Sequence, residues 1–223
     1  MARRALTTTA AVFAATAALL LTACGGGGEE KSPDDAKGAD GGTKSPAASS
    51  APSDSDPADA DRPDLSVPQE LKLVFDFDQP SDAKHAAALA DAENYIRALK
   101  HGIAKQDPND PAYRFHSGAQ AEQYAKSQIE AWVKGGWTVY GTDTYYDDEV
   151  TTMSDGKGVL VSFCRNQAKS YSKDVKTGKV HYTEESLDSY LRYRLLMAPP
   201  SGAAAVWKAA NIEVIGKAKE CRR

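Results

Sequence analysis

Cysteine is scarce, with three in 223 residues and no C-x-x-C spacing, so the sequence carries no dithiol redox motif. No apolar run reaches the roughly 20 residues that a membrane-spanning helix needs; the best, Ala10 to Leu21, falls short. Residues 25–67 hold almost no apolar residue larger than alanine, which rules out a packed core there. Positive charge is not in excess either: 27 Lys and Arg stand against 31 Asp and Glu. Six of those basic residues and ten of the acidic ones precede Ser66, so the remainder carries 21 of each and is neutral. A neutral domain lacks the electrostatic footprint of nucleic-acid binding.

What is present begins at the N-terminus. Arg3 and Arg4 precede the apolar run, and Leu21-Thr22-Ala23-Cys24 follows it as an aliphatic residue, two small residues and a cysteine. This is the pattern of a lipobox. It predicts a signal peptide over 1–23, cleavage before Cys24, and a diacylglyceryl thioether on that cysteine. Whether the new amine takes a third chain is left open. At about 0.8 kcal/mol per buried CH₂, two long chains anchor a protein stably where one myristoyl does not. Arg3-Arg4 lacks the rest of a twin-arginine motif, so general secretion is expected. The predicted location is the extracytoplasmic face of the cell membrane. Residues 24–67, rich in Gly, Ser, Ala, Pro and Asp, read as a disordered acidic tether with a root-mean-square span of roughly 35 Å. Anionic lipid heads should repel it.

Residues 68–223 read as one domain. Leu71, Leu73, Phe75 and Phe77 alternate with Lys72, Val74 and Asp76 as a strand or extended arm. Ser81 is the expected N-cap of a first helix, with Asp82 in its first turn. Leu89, Ala92, Ile96, Leu99 and Ile103 form one helical face. Ser117-Gly118-Ala119-Gln120 reads as a capping box for a further helix that ends at Gly135-Gly136. The period then changes from 3.6 to 2. Strands are expected over Trp137–Met153, Val159–Ala168, Tyr190–Met197 and Val206–Val214, with turns at Ser154–Gly158, Lys176–Lys179 and Pro199–Gly202. In the last strand, Val206, Lys208, Ala210, Ile212 and Val214 share a face opposite Trp207, Ala209, Asn211 and Glu213. The fold class is α+β, with helices packed on a strongly bent antiparallel sheet of about four long strands, a cone with a cavity at its mouth.

The helices up to Gly136, the strand around Phe163-Cys164, the hairpin at Lys176-Thr177-Gly178-Lys179, the Arg-bearing strand Tyr190–Met197 and Trp207-Lys208 occur in this order. In this the chain resembles the nuclear-transport-factor-2-like domains of secreted actinobacterial lipoproteins, most of which have no assigned activity. It departs from them at Arg165-Asn166, where an acidic residue would be expected after Cys164, and this puts a shared ligand in doubt.

With Cys24 assigned to lipid, an even pair remains, Cys164 and Cys221. In an oxidising compartment they are expected to form a disulfide; a buried thiol pair and a redox site are the alternatives. Trp132, Trp137, Tyr140, Tyr193 and Trp207 are expected to line the cavity or fill the core. Enzymes that share the cone fold use an Asp or His in the cavity, often with a Tyr. The candidates here are Asp143 with Tyr140 and Tyr145, and His116 with Tyr113; neither forms a signature, so no catalytic residue is assigned. Asp147-Asp148-Glu149 lacks a calcium-loop pattern, and no metal or cofactor is assigned. The expected function is a non-enzymatic ligand- or partner-binding module at the cell envelope, monomeric or homodimeric, its ligand or protein partner unidentified. The alternative is a small-molecule isomerase or hydrolase that uses the cavity.

Overall fold

A computed structural model describes residues 62–201 and 205–223. The lipobox Leu21-Thr22-Ala23, Cys24, the signal segment and most of the tether lie outside the described residues. No helix among those described is long and apolar enough to cross a membrane.

Strand β1, Leu71–Asp76, leads into helix α1, Ala83–Lys105. Asp82, not Ser81, is the N-cap, accepting a hydrogen bond from the His85 backbone N–H at 2.9 Å. Its carboxylate reaches that donor, and the cap therefore sits one residue later than the sequence suggests. Leu89, Ala92, Ile96, Leu99 and Ile103 are all buried. Each Leu or Ile of this face contributes about 1.5–3 kcal/mol of transfer free energy. Helix α2, Pro111–His116, starts at Asp110, whose carboxylate accepts from the Ala112 N–H at 2.7 Å. Helix α3, Ala119–Gly135, has Gly118 as N-cap and no side-chain cap. The expected capping box fails because both side chains are engaged elsewhere. Ser117 Oγ donates back to the Tyr113 carbonyl at 2.6 Å, and Gln120 Oε1 accepts from the Ile212 N–H at 2.8 Å. Helices α1 and α3 approach closely at Gly102, where an added Cβ would lie 2.5 Å from Ile129 Cδ1.

Five strands follow: β2 Trp137–Thr152, β3 Val159–Asp174, β4 Val180–His181, β5 Tyr190–Ala198 and β6 Lys208–Gly216. The sheet order is β1-β2-β3-β5-β6, with β4 paired to β3. The sheet is mixed, not purely antiparallel. β1 runs parallel to β2, with Leu71 opposite Gly141 and Asp76 opposite Tyr146. A parallel neighbour needs a long crossover, and the three helices supply it. Alternation alone carries no information on strand direction, which is why the leading strand was legible and its partner was not.

Three register shifts shape the sheet. Between Thr142 and Thr144, β3 carries the extra residue; between Tyr146 and Glu149, β2 carries it, with Asp147 at φ 52°. In β6 the extra residue is Ala210. That bulge breaks the expected alternation, so Trp207, Ala209 and Ile212 are all buried. Gly141 has φ 97°, and a Cβ there would meet the Lys169 carbonyl oxygen at 2.1 Å, so only glycine fits.

Candidate ligand cavity

The sheet face toward the helices carries Val159, Val161 and Phe163 of β3 and Tyr193, Leu195 and Met197 of β5, all buried. Phe163 and Tyr193 stack at 5.5 Å between centroids. Beyond them along β3 comes Arg165, opposite Tyr145 on β2 and Leu191 on β5. Here the packing leaves a cavity of about 230 Å³. Ile96, Leu99, Lys100 and Ile103 of α1 form one wall, and Tyr124, Gln128 and Trp132 of α3 another. Tyr145, Arg165, Gln167, Leu191, Tyr193 and Val214 form the sheet side.

The charge at and behind this cavity's lining is unusual. Asp143 is fully buried. Its Oδ1 lies 2.7 Å from Arg165 Nη2 and accepts from Arg165 Nε at 2.8 Å. Its Oδ2 lies 2.7 Å from Lys100 Nζ. Arg165 Nη1 also donates to the Tyr193 hydroxyl at 3.3 Å. Burial pushes the Asp143 carboxyl up, but Arg165 and Lys100 outweigh it and hold the group below its usual value. Burial, reinforced by the adjacent guanidinium, draws the Lys100 ammonium down to about 8 against the pull of Asp143. Burial together with the Asp143 charge raises the Tyr145 phenol well above its ordinary range. At neutral pH two cations share one carboxylate.

The sequence candidates fall in different places. Asp143 and Tyr145 belong to the cluster, whereas Tyr140 lies near Lys173, with the ammonium 5.9 Å from its ring centroid. Trp132 and Tyr193 line the cavity. Trp137 is 44% exposed and lines a second, larger groove of about 570 Å³ with Tyr171, His181 and Glu184. Trp132 and Gln167 belong to both hollows. The larger one holds no buried charge, so the chemistry concentrates in the smaller. Trp207 is buried against α1, its backbone N–H donating to Asp91 Oδ2 at 2.8 Å. His116 ends α2, not a loop, and is buried outside the cavity with neither ring nitrogen hydrogen-bonded. Burial pushes it down to about 4, so it is neutral at physiological pH. Its expected partner Tyr113 donates instead to the Pro108 carbonyl at 2.7 Å.

Cys164 and Cys221 are a disulfide-capable pair, with Cα atoms 5.4 Å apart. They lie in a small buried cluster with Tyr146, Tyr190 and Ala218. The acidic run is occupied locally: Asp147 pairs with Arg223, Asp148 accepts from the Asp78 N–H at 2.9 Å, and Glu149 lies 3.0 Å from Arg192. Among the described residues, no group of three His, Cys, Asp or Glu is arranged to hold a metal.

Two members of the cluster escaped sequence reading. Lys100 follows Ile96 by four and precedes Ile103 by three, so its period already puts a charge on the apolar face of α1. Arg165 stood out only as a departure from a pattern.

No protein-family model matches the chain, and no curated protein matches it. A solved structure, the intermembrane space region of the chloroplast protein ARC6, aligns with 61% of this chain and 99% of its own at 13% identity. The TM-score of 0.35 is too low to carry an argument about fold or function.

Proposed function

We propose that this chain is a lipoprotein, anchored through Cys24 to the extracytoplasmic face of the cell membrane, and that its cone-like, nuclear-transport-factor-2-like domain binds a ligand without turning it over. The observation that carries the reading is the cavity in which Lys100, Arg165 and Tyr193 converge among apolar walls. Concave apolar space with a few oriented polar groups is the general form of a ligand site. Native mass spectrometry of the full chain, recovered from a secreting host, tests it. A co-purifying small mass that is lost on Arg165→Met supports the reading. An empty cavity that no small molecule enters overturns it. The anchor has its own test: Cys24→Ala should abolish processing and membrane retention, and unchanged retention contradicts lipidation.

One observation favours the alternative, an isomerase or hydrolase. Lys100, drawn down to about 8, is near the range in which a general base works. Asp143, the carboxylate such enzymes would use, is held ionised by two cations and is a poor base. Turnover of the co-purifying molecule, lost on Lys100→Met, would favour the enzyme.

A further inference from the structure

We propose that the cavity binds a small monocarboxylate with an apolar body, its carboxylate seated between Lys100 and Arg165. This rests on the preceding reading that the cavity is a ligand site, and adds the chemical class of the occupant.

The argument starts from which groups the cavity presents. Lys100 and Arg165 line it, whereas Asp143 does not, lying behind them at zero exposure. A molecule entering therefore meets two cations whose shared counter-ion is out of reach. The side chains of Lys100 and Arg165 are only 6% and 11% exposed, so water screens them weakly. No other Lys or Arg, and no Asp or Glu, lines the cavity. The cluster thus carries one uncompensated positive charge in a low-dielectric setting, which costs free energy until an anion joins it.

The donors are also present. Of the five N–H groups of a guanidinium, Arg165 directs Nε and one Nη2 at Asp143 and one Nη1 at Tyr193. That leaves two, and the Lys100 ammonium has others beyond its contact with Asp143.

Charge count and size then narrow the occupant. One excess positive charge matches a monoanion; a phosphate monoester would bring about −1.5 to −2 and leave the site negative. A cation would meet two like charges. About 230 Å³ is below the range of drug-sized sites, and Ile96, Leu99, Ile103, Leu191 and Val214 offer apolar contact to the rest of the molecule.

Three probes of one shape test the proposal on the full chain: phenylacetate, neutral phenylacetamide and cationic phenethylamine, titrated calorimetrically up to about 10 mM. Phenylacetate should bind at least about ten-fold more tightly than either other probe. Lys100→Met, which leaves the Arg165–Asp143 pair neutral, should bring phenylacetate within about two-fold of phenylacetamide. The wild-type comparison stands even if that variant fails to fold. Equal or tighter binding of the amide or the amine overturns the carboxylate assignment but leaves the cavity as a ligand site. Unchanged phenylacetate preference in a folded Lys100→Met overturns the seating between Lys100 and Arg165. Binding of none of the three overturns the assignment, whereas the cavity reading falls only if native mass spectrometry also finds it empty.

Discussion

The two faces of β3 part at Cys164 and Arg165. Cys164 points to the outer face, where Cys221, Tyr146, Tyr190 and Ala218 bury it. Arg165 points to the inner face and the cavity. On the outer face Arg192, Arg194 and Arg223 each pair with carboxylates that are themselves about half exposed or more. Arg192 donates to Ser162 Oγ at 2.8 Å and lies 3.0 Å from Glu149, and Arg194 lies 3.4 Å from Glu213. Arg223 packs 4.0 Å from the centroid of the Tyr146 ring and pairs with Asp147 and Asp76. On the inner face two cations divide one carboxylate under helix α1. These outer cations are matched by carboxylates beside a disulfide-capable cysteine pair, whereas the inner pair of cations shares one carboxylate. A strand can serve both because successive side chains alternate in direction.

The sharpest way to break this contrast is Asp143→Ala. It strands Lys100 and Arg165 together without an anion and should cost about 3–5 kcal/mol in chemical denaturation. A loss below about 1 kcal/mol would mean that water already reaches the cluster. On the outer face, Cys221→Ser opens the loop of sequence separation 57 and should cost about 2–4 kcal/mol. A mass gain of two hydrogen atoms only after reductant would establish the bond; free thiols in the exported chain would refute it.

Lys100→Met comes next and has the opposite sign. The folded Lys100 is drawn from 10.5 down to about 8, with Asp143, Arg165, Tyr124, Tyr145 and Tyr193 around the cavity. Between those two values the unfolded chain binds the proton and the folded one does not, so stability rises with pH. Below about 8 both states are protonated and the folded state bears the full cost, up to about 3 kcal/mol. Methionine removes that cost while keeping the volume. Smallest is Arg194→Ala, which breaks a pair half exposed on both sides and should change stability by less than about 0.5 kcal/mol. A larger loss would show that the outer charges matter as the inner ones do.

Much of the scaffold was legible because burial imposes a period. Leu89 to Ile103 and Val159 to Phe163 repeat at 3.6 and 2 and are buried as that implies. Local competition defeated the finer reading. Asp82 outcompetes Ser81 for the cap, Ser117 turns its hydroxyl backward, and Ala210 inserts a residue that a period of 2 cannot anticipate. The site was half visible. Asp143 could be singled out as an ionisable residue among aromatics, but its partners come from a helix 43 positions earlier and a strand 22 positions later. Lys100 left a trace as a charge on an apolar stripe, and Arg165 only as a departure from a pattern.

The most direct test of the uncompensated inner charge is the stability of Lys100→Met against the unaltered chain, by urea denaturation at about pH 7 and about pH 10. The account predicts that the variant is the more stable at neutral pH by up to about 3 kcal/mol and that the gap closes as the pH rises toward 10. A variant less stable at pH 7, with a gap that does not change with pH, would show that Lys100 is fully compensated and would contradict the account.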